Sequence, residues 1–199
     1  KNRRDFLAPA LGPYENEFLV SASDGMGSKT EAPWVRFCAK SMSPRPTDGY
    51  YVVIHFRKDG TAMFLTLGCG STTFSDGKLK HLDHSDLFKK TKAARDAIIS
   101  EGYSIEDFKD KIELGAKAPL PRQFERATAI AKRIEYSEID NTDFDELLTK
   151  LATFLKPIYA AQSVGYDLSH ADQTELEIEN IFKSKKSNNS QGFGLNAAE

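Results

Sequence analysis

The chain has 199 residues, 40% of them hydrophobic, enough for one core with a helical appendage. No apolar run approaches the roughly 20 residues that cross a bilayer, so no membrane association is expected. The net charge is only −2, but residues 26–133 hold 19 Lys and Arg against 13 Asp and Glu, whereas residues 134–182 hold 2 against 11.

Segregated charge matters because phosphate is felt over about a Debye length, ~10 Å, and here the basic half contains the aromatic strands. The two cysteines, Cys38 and Cys69, lie in or beside apolar stretches. They read as buried free thiols of a reducing compartment, which favours the cytoplasm. The four histidines are scattered, and no CxxC or HExxH spacing occurs. No metal or cofactor is expected.

In chain order, residues 3–11 read as a helix end stopped by Gly12-Pro13, and residues 17–22 as a short strand. Residues 23–32 form a loop in which Gly25 and Gly27 allow a close backbone approach to a ligand. Strands are predicted over 34–38, 50–57 and 62–67, separated by a Pro-rich turn at 41–49 and a Lys58-Asp59-Gly60 hairpin. Residues 83–102 carry apolar side chains at helical spacing. Residues 112–114 read as a further strand, and 122–134 fit a helix by propensity or an extended segment by context. A second strong helix covers 142–161, with Thr142-x-x-Asp145 as its capping box and Pro157 kinking or ending it. A charged helix at 170–185 and a Ser/Asn-rich linker at 185–191 follow. Residues 192–199 resume a patterned sequence, so the chain is expected to be a fragment.

Alternation sorts the strand residues into two faces. Val35, Phe37, Tyr50, Val52, Ile54, Phe56, Met63, Leu65 and Leu67 make one apolar set. Trp34, Arg36, Tyr51, Val53, His55, Arg57, Phe64 and Thr66 make the other. The expected fold is α+β: a curled, mainly antiparallel sheet flanked by amphipathic helices. The second face, with Trp34, Tyr51 and His55 displayed, suits a flat heteroaromatic ring such as a nucleic-acid base. Met26 between two glycines is an apolar loop tip of the kind that wedges between bases. Ser28, Lys29, Thr30, Arg36 and Arg57 are candidate phosphate contacts; Arg45, Lys78, Lys80, Arg122 and Arg126 rank behind them. No nucleophile elbow, P-loop or carboxylate pair occurs, so no catalytic residue is expected.

The ordered set Gly25-Met26-Gly27, Pro33-Trp34 and Gly49-Tyr50-Tyr51-Val52-Val53 resembles the N-terminal DNA-binding domain of McrB. That domain is the specificity module of modification-dependent (type IV) restriction systems. The resemblance covers residues 17–67 most densely, and residues 121–136 are similar to a later stretch of many relatives. It implies recognition of methylated cytosine in double-stranded DNA by rotating the base into an aromatic pocket. Trp34 and Tyr51 would then be pocket walls, His55 a pocket residue able to hydrogen-bond, and Gly25, Met26 and Gly27 the intercalating loop. Two departures mark this chain: His55 stands where McrB has an apolar residue, and Met26 where it has an aromatic.

The segment at 192–199 is similar to the opening of a C-terminal domain with a PD-(D/E)xK-type nuclease fold. The expected organisation is a recognition domain at 1–166, a helical connector at 167–186, and a linker at 187–199 leading into a nuclease domain of the same chain. The parent protein would be a restriction endonuclease serving antiphage defence. Two other classes fit the residues: a protein-interaction or oligomerisation domain using the exposed aromatic face, and a nucleotide enzyme using the same pocket.

Overall fold

The computed structural model describes residues 4–25, 30–75 and 78–163. Those residues form an open five-stranded antiparallel sheet with four helices, an α+β fold. The order of elements is α1 (Arg4–Ala10), β1 (Phe18–Ser23), β2 (Trp34–Ala39), β3 (Tyr50–Phe56), β4 (Ala62–Cys69), β5 (Thr72–Ser75), β6 (Lys78–His81), α2 (His84–Ser100), α3 (Pro119–Arg126), β7 (Thr128–Glu135) and α4 (Phe144–Ser163). Strands β1 to β4 are a meander, and β7 returns to pair with β4, giving the order β1-β2-β3-β4-β7. Among the described residues no helix is long and apolar enough to cross a membrane.

The pairing register fixes the two faces. Phe37 lies opposite Val52, Val52 opposite Leu67, and Leu67 opposite Ile130. This first face carries the main core, together with Leu7 of α1, Leu87 and Ile98 of α2, and Leu148, Leu151, Leu155 and Ile158 of α4, all buried. Tyr159 ties α4 to the sheet: its hydroxyl donates to the Tyr50 carbonyl (3.0 Å) and accepts from the Ala39 N–H (3.3 Å). Both cysteines are buried free thiols, and burial pushes the Cys69 thiol up to about 12.

Several local expectations change. Residues 112–114 do not form a strand; they cross the second face as irregular chain with Ile112 and Leu114 buried. Residues 119–135 are both helix and strand, switching at Ala127. The cap of α4 is Asp143, whose Oδ1 accepts from the Glu146 N–H (2.9 Å), while the Thr142 hydroxyl donates back to Glu138. Pro157 does not end that helix, which runs on to Ser163. Helix propensity yields here to an apolar stripe packed along its whole length. Beyond the strands that alternation indicates, β5 and β6 pair as a two-stranded antiparallel ribbon. The expected charged helix at 170–185, the linker and the segment at 192–199 lie outside the described residues.

Candidate functional site

The second face carries Trp34 opposite His55, Arg36 opposite Val53, and His55 opposite Phe64, the face-sharing that alternation predicts. It is not the open surface expected, because two segments of the chain cover it. Ile112, Leu114, Ala116 and Phe124 pack over Phe64, Ala131 and Ala32 at one end. The 40–48 turn covers the other. Gly49 makes that turn possible: it sits at φ +63, where a Cβ would fall 2.1 Å from the Met42 carbonyl oxygen.

Tyr51 is consequently not an exposed wall. It is 9% exposed, and its hydroxyl lies 2.9 Å and 3.1 Å from the carbonyl oxygens of Pro46 and Cys69. The Arg36 guanidinium covers its ring, 5.4 Å from the centroid. Trp34 and Tyr51 share a cluster with Cys38, Val53 and Leu19, but the strand register puts Tyr51 four residues beyond the Trp34–His55 pair, about 13 Å along β3. Two rings so placed do not face each other across one base, which needs walls about 7 Å apart.

Arg36 is likewise not at the surface. At 2% exposure it donates from Nε to the Ser21 hydroxyl (2.6 Å), from Nη1 to the Ser43 carbonyl (3.2 Å) and hydroxyl (3.0 Å), and from Nη2 to the Pro44 carbonyl (3.3 Å). Those bonds hold the 40–48 turn against the sheet, so this side chain is a structural strut and not a phosphate contact. Arg57 keeps partial exposure, 3.2 Å from Asp59 Oδ2 at the hairpin between β3 and β4.

Trp34 is half-buried, packed against the cluster of Cys38, Tyr51 and Val53. His55, its cross-strand partner, is 5% exposed and stacks on Phe124, with centroids 5.4 Å apart and planes at 22°. Its Nδ1 is buried without a hydrogen-bond partner. Burial away from water pushes the imidazole down to about 3, so the ring is neutral and offers one donor and one acceptor.

The β1–β2 connection reaches this site from the near end of the sheet. Its stem is pinched by Thr30 N–H donating to the Asp24 carbonyl (2.6 Å), and Gly25 sits at φ 126, a conformation that favours glycine. Met26, Gly27, Ser28 and Lys29 lie outside the described residues. Past the stem, Glu31 accepts from Lys58 Nζ and from the backbone N–H groups of Lys117 (2.6 Å) and Ala118 (3.0 Å). These donors hold its carboxyl down to about 2.

Sequence reasoning did not single out Phe124, Glu31, Lys58 or Arg133. Arg133 is exposed and lies over the Phe64 ring at 5.6 Å. Arg57 and Lys58 at the β3–β4 hairpin and Arg133, opposite Phe64 on β7, lie at the Trp34 end of the sheet, whereas Arg126, at the end of α3 next to Ala127, lies at the Cys69 end. Lys78 and Lys80 are exposed on the β5–β6 ribbon, beyond the Tyr50–Cys69 end of the sheet. That is about 17 Å along the strands from the level of His55. The signal for the ribbon, Asp76-Gly77 between two short patterned runs, is present in the sequence.

Among known proteins, the family model described as MrcB-like, N-terminal domain matches residues 3–163. No curated protein matches the chain.

Proposed function

The chain belongs to the MrcB-like N-terminal domain family, and from that membership we propose that residues 3–163 are a DNA-binding module that reads a modified base, a methylated cytosine first among them. The base leaves the duplex stack and enters the second sheet face beside Trp34. Trp34 stacks on the base, and His55 hydrogen-bonds to its edge. Met26, Gly25 and Gly27 supply the wedge that fills the gap in the duplex. Thr30, Ser28, Lys29, Arg57 and Lys58 contact phosphates; Arg36 and Tyr51, both packed under the 40–48 turn, have no part in this.

One observation carries the reading: a neutral, buried imidazole with an unpaired Nδ1 lies directly across the strands from the protein's one tryptophan. An orphaned buried polar atom costs about 1–3 kcal/mol, which a base edge would recover by pairing with it. Extruding a base costs a few kcal/mol, and one aromatic wall returns ~1–3 kcal/mol. Stacking alone does not balance extrusion, so the His55 bond and a niche for the added methyl, at about 1–3 kcal/mol, supply both the remainder and the selectivity. A nuclease domain carried on the same chain would make this module its targeting element in a restriction system.

The test is binding to matched duplexes bearing plain, 5-methyl-, 5-hydroxymethyl- or N4-methylcytosine, or N6-methyladenine. Trp34→Ala is expected to lower the preference for the modified duplex by about tenfold or more while leaving binding to plain duplex in place. A Trp34→Ala protein that still discriminates as well as wild type would refute the assignment.

A further inference from the structure

Resting on the base-reading proposal, we infer that Glu31 is a positioning residue: it ties the β1–β2 connection to the start of α3 and so holds Phe124 over His55. The linkage runs through described contacts at every step. Glu31 Oε2 accepts from the N–H groups of Lys117 and Ala118, the two residues before α3 begins at Pro119. Its Oε1 accepts from Lys58 Nζ, and the Lys58 N–H in turn donates to the Leu114 carbonyl (2.9 Å). From within α3, Glu125 Oε1 accepts from the Leu114 N–H (2.8 Å). The residue after Glu31, Ala32, is fully buried in the cluster on which Phe124 packs.

An eight-residue helix has little stability of its own and takes its position from its anchors. At the C-terminal end the anchor is the Thr128 hydroxyl, donating to the Phe124 carbonyl (3.0 Å). At the N-terminal end it is the Glu31 carboxylate. Between the two stands Phe124, stacked on the imidazole that reads the base. A base entering beside Trp34 meets the Phe124–His55 stack, so the placement of α3 decides how well that base is read. Glu31 touches neither the base nor His55; it acts through α3. Its carboxylate, held ionised by the same donors, keeps the link closed throughout the neutral range.

Glu31→Gln keeps the shape, removes the charge and weakens the acceptor for three donors. Two readouts follow. The ratio of affinities for modified over plain duplex should fall roughly three- to tenfold, the net weight of one ordinary hydrogen bond at an exposed site. The emission of Trp34, the only tryptophan, should shift as its surroundings change. Affinity for plain duplex should stay within about twofold. Glu17→Gln is the control: it weakens an exposed contact of the same kind, from the Ser41 N–H (2.9 Å), at the far end of β2, and should move neither readout. Glu125→Gln, which weakens the bond from the Leu114 N–H and leaves every proposed phosphate contact in place, covers the case in which Glu31→Gln fails to fold, and should shift both readouts in the same direction by less. If the folded variants discriminate like wild type with unchanged emission, the positioning role is overturned while base reading stands. If wild type itself binds all duplexes alike, base reading falls and this role falls with it.

Discussion

Arg36 and His55 are polar side chains buried on one sheet face, and their surroundings give them opposite meanings. Arg36 is well partnered: each of its three guanidinium nitrogens donates to an oxygen, and the group lies over Tyr51. Arg36→Met should therefore lower stability by about 2–4 kcal/mol in a denaturant titration. The folded fraction should bind plain duplex at close to wild-type strength. A variant of unchanged stability and much weaker DNA binding would restore Arg36 as a phosphate contact. His55 is the reverse case, a neutral ring with one nitrogen unsatisfied. Its folded pKa of about 3 lies below the ordinary 6.5, so the unfolded chain takes up a proton that the folded protein refuses. Its contribution to stability thus declines as pH falls from 6.5 toward 3. Between pH 6.5 and 5, wild type should lose about 1.5–2 kcal/mol relative to His55→Leu, which carries no such proton. Parallel stability curves for the two proteins over that interval would contradict a buried neutral imidazole.

At the scale of elements, the sequence is legible where one period dominates. The four meander strands and helices α2 and α4 lie within a few residues of the ranges that alternation and the apolar stripe indicate, because each buries one continuous face. The stretch 122–134 is ambiguous because a short helix abuts a strand at Ala127, and a window spanning both averages two periods. Ile112 and Leu114 look like strand residues because they alternate with charge, yet they are buried by packing across the sheet, without a strand partner of their own. The ribbon β5–β6 has only four residues per strand, too few for alternation to stand out. For the site, sequence pattern correctly places Trp34 and His55 on one face; that they are cross-strand partners is set by the pairing register. The pattern does not reveal what lies above that face: the 40–48 turn is held there by side-chain bonds with no periodic signature, such as Arg36 with Ser43 and Tyr51 with Pro46, and α3 by contacts nearly 90 positions apart, such as Glu31 with Ala118.

Across the described residues, the central strands of the antiparallel sheet are buried on both faces, by α1, α2 and α4 on one side and by irregular chain and α3 on the other. Covering of the second kind is lighter, and its hydrogen bonds run through loop backbone and single side chains. That is the side on which a site can open without disturbing the main core. The cations of the β3–β4 hairpin, α3 and β7 border the same side, whereas the carboxylates Asp143, Asp145 and Glu146 gather at the start of α4, which packs on the other. Duplex DNA drawn to the cationic border would present its bases to Trp34. The most direct measurement of this account places 2-aminopurine beside a 5-methylcytosine in a duplex and follows its fluorescence as wild-type protein is added. The account predicts a rise, as the neighbouring base leaves the stack, with the methylated duplex and none with the plain one. Saturating binding to the methylated duplex with no change in fluorescence would contradict it.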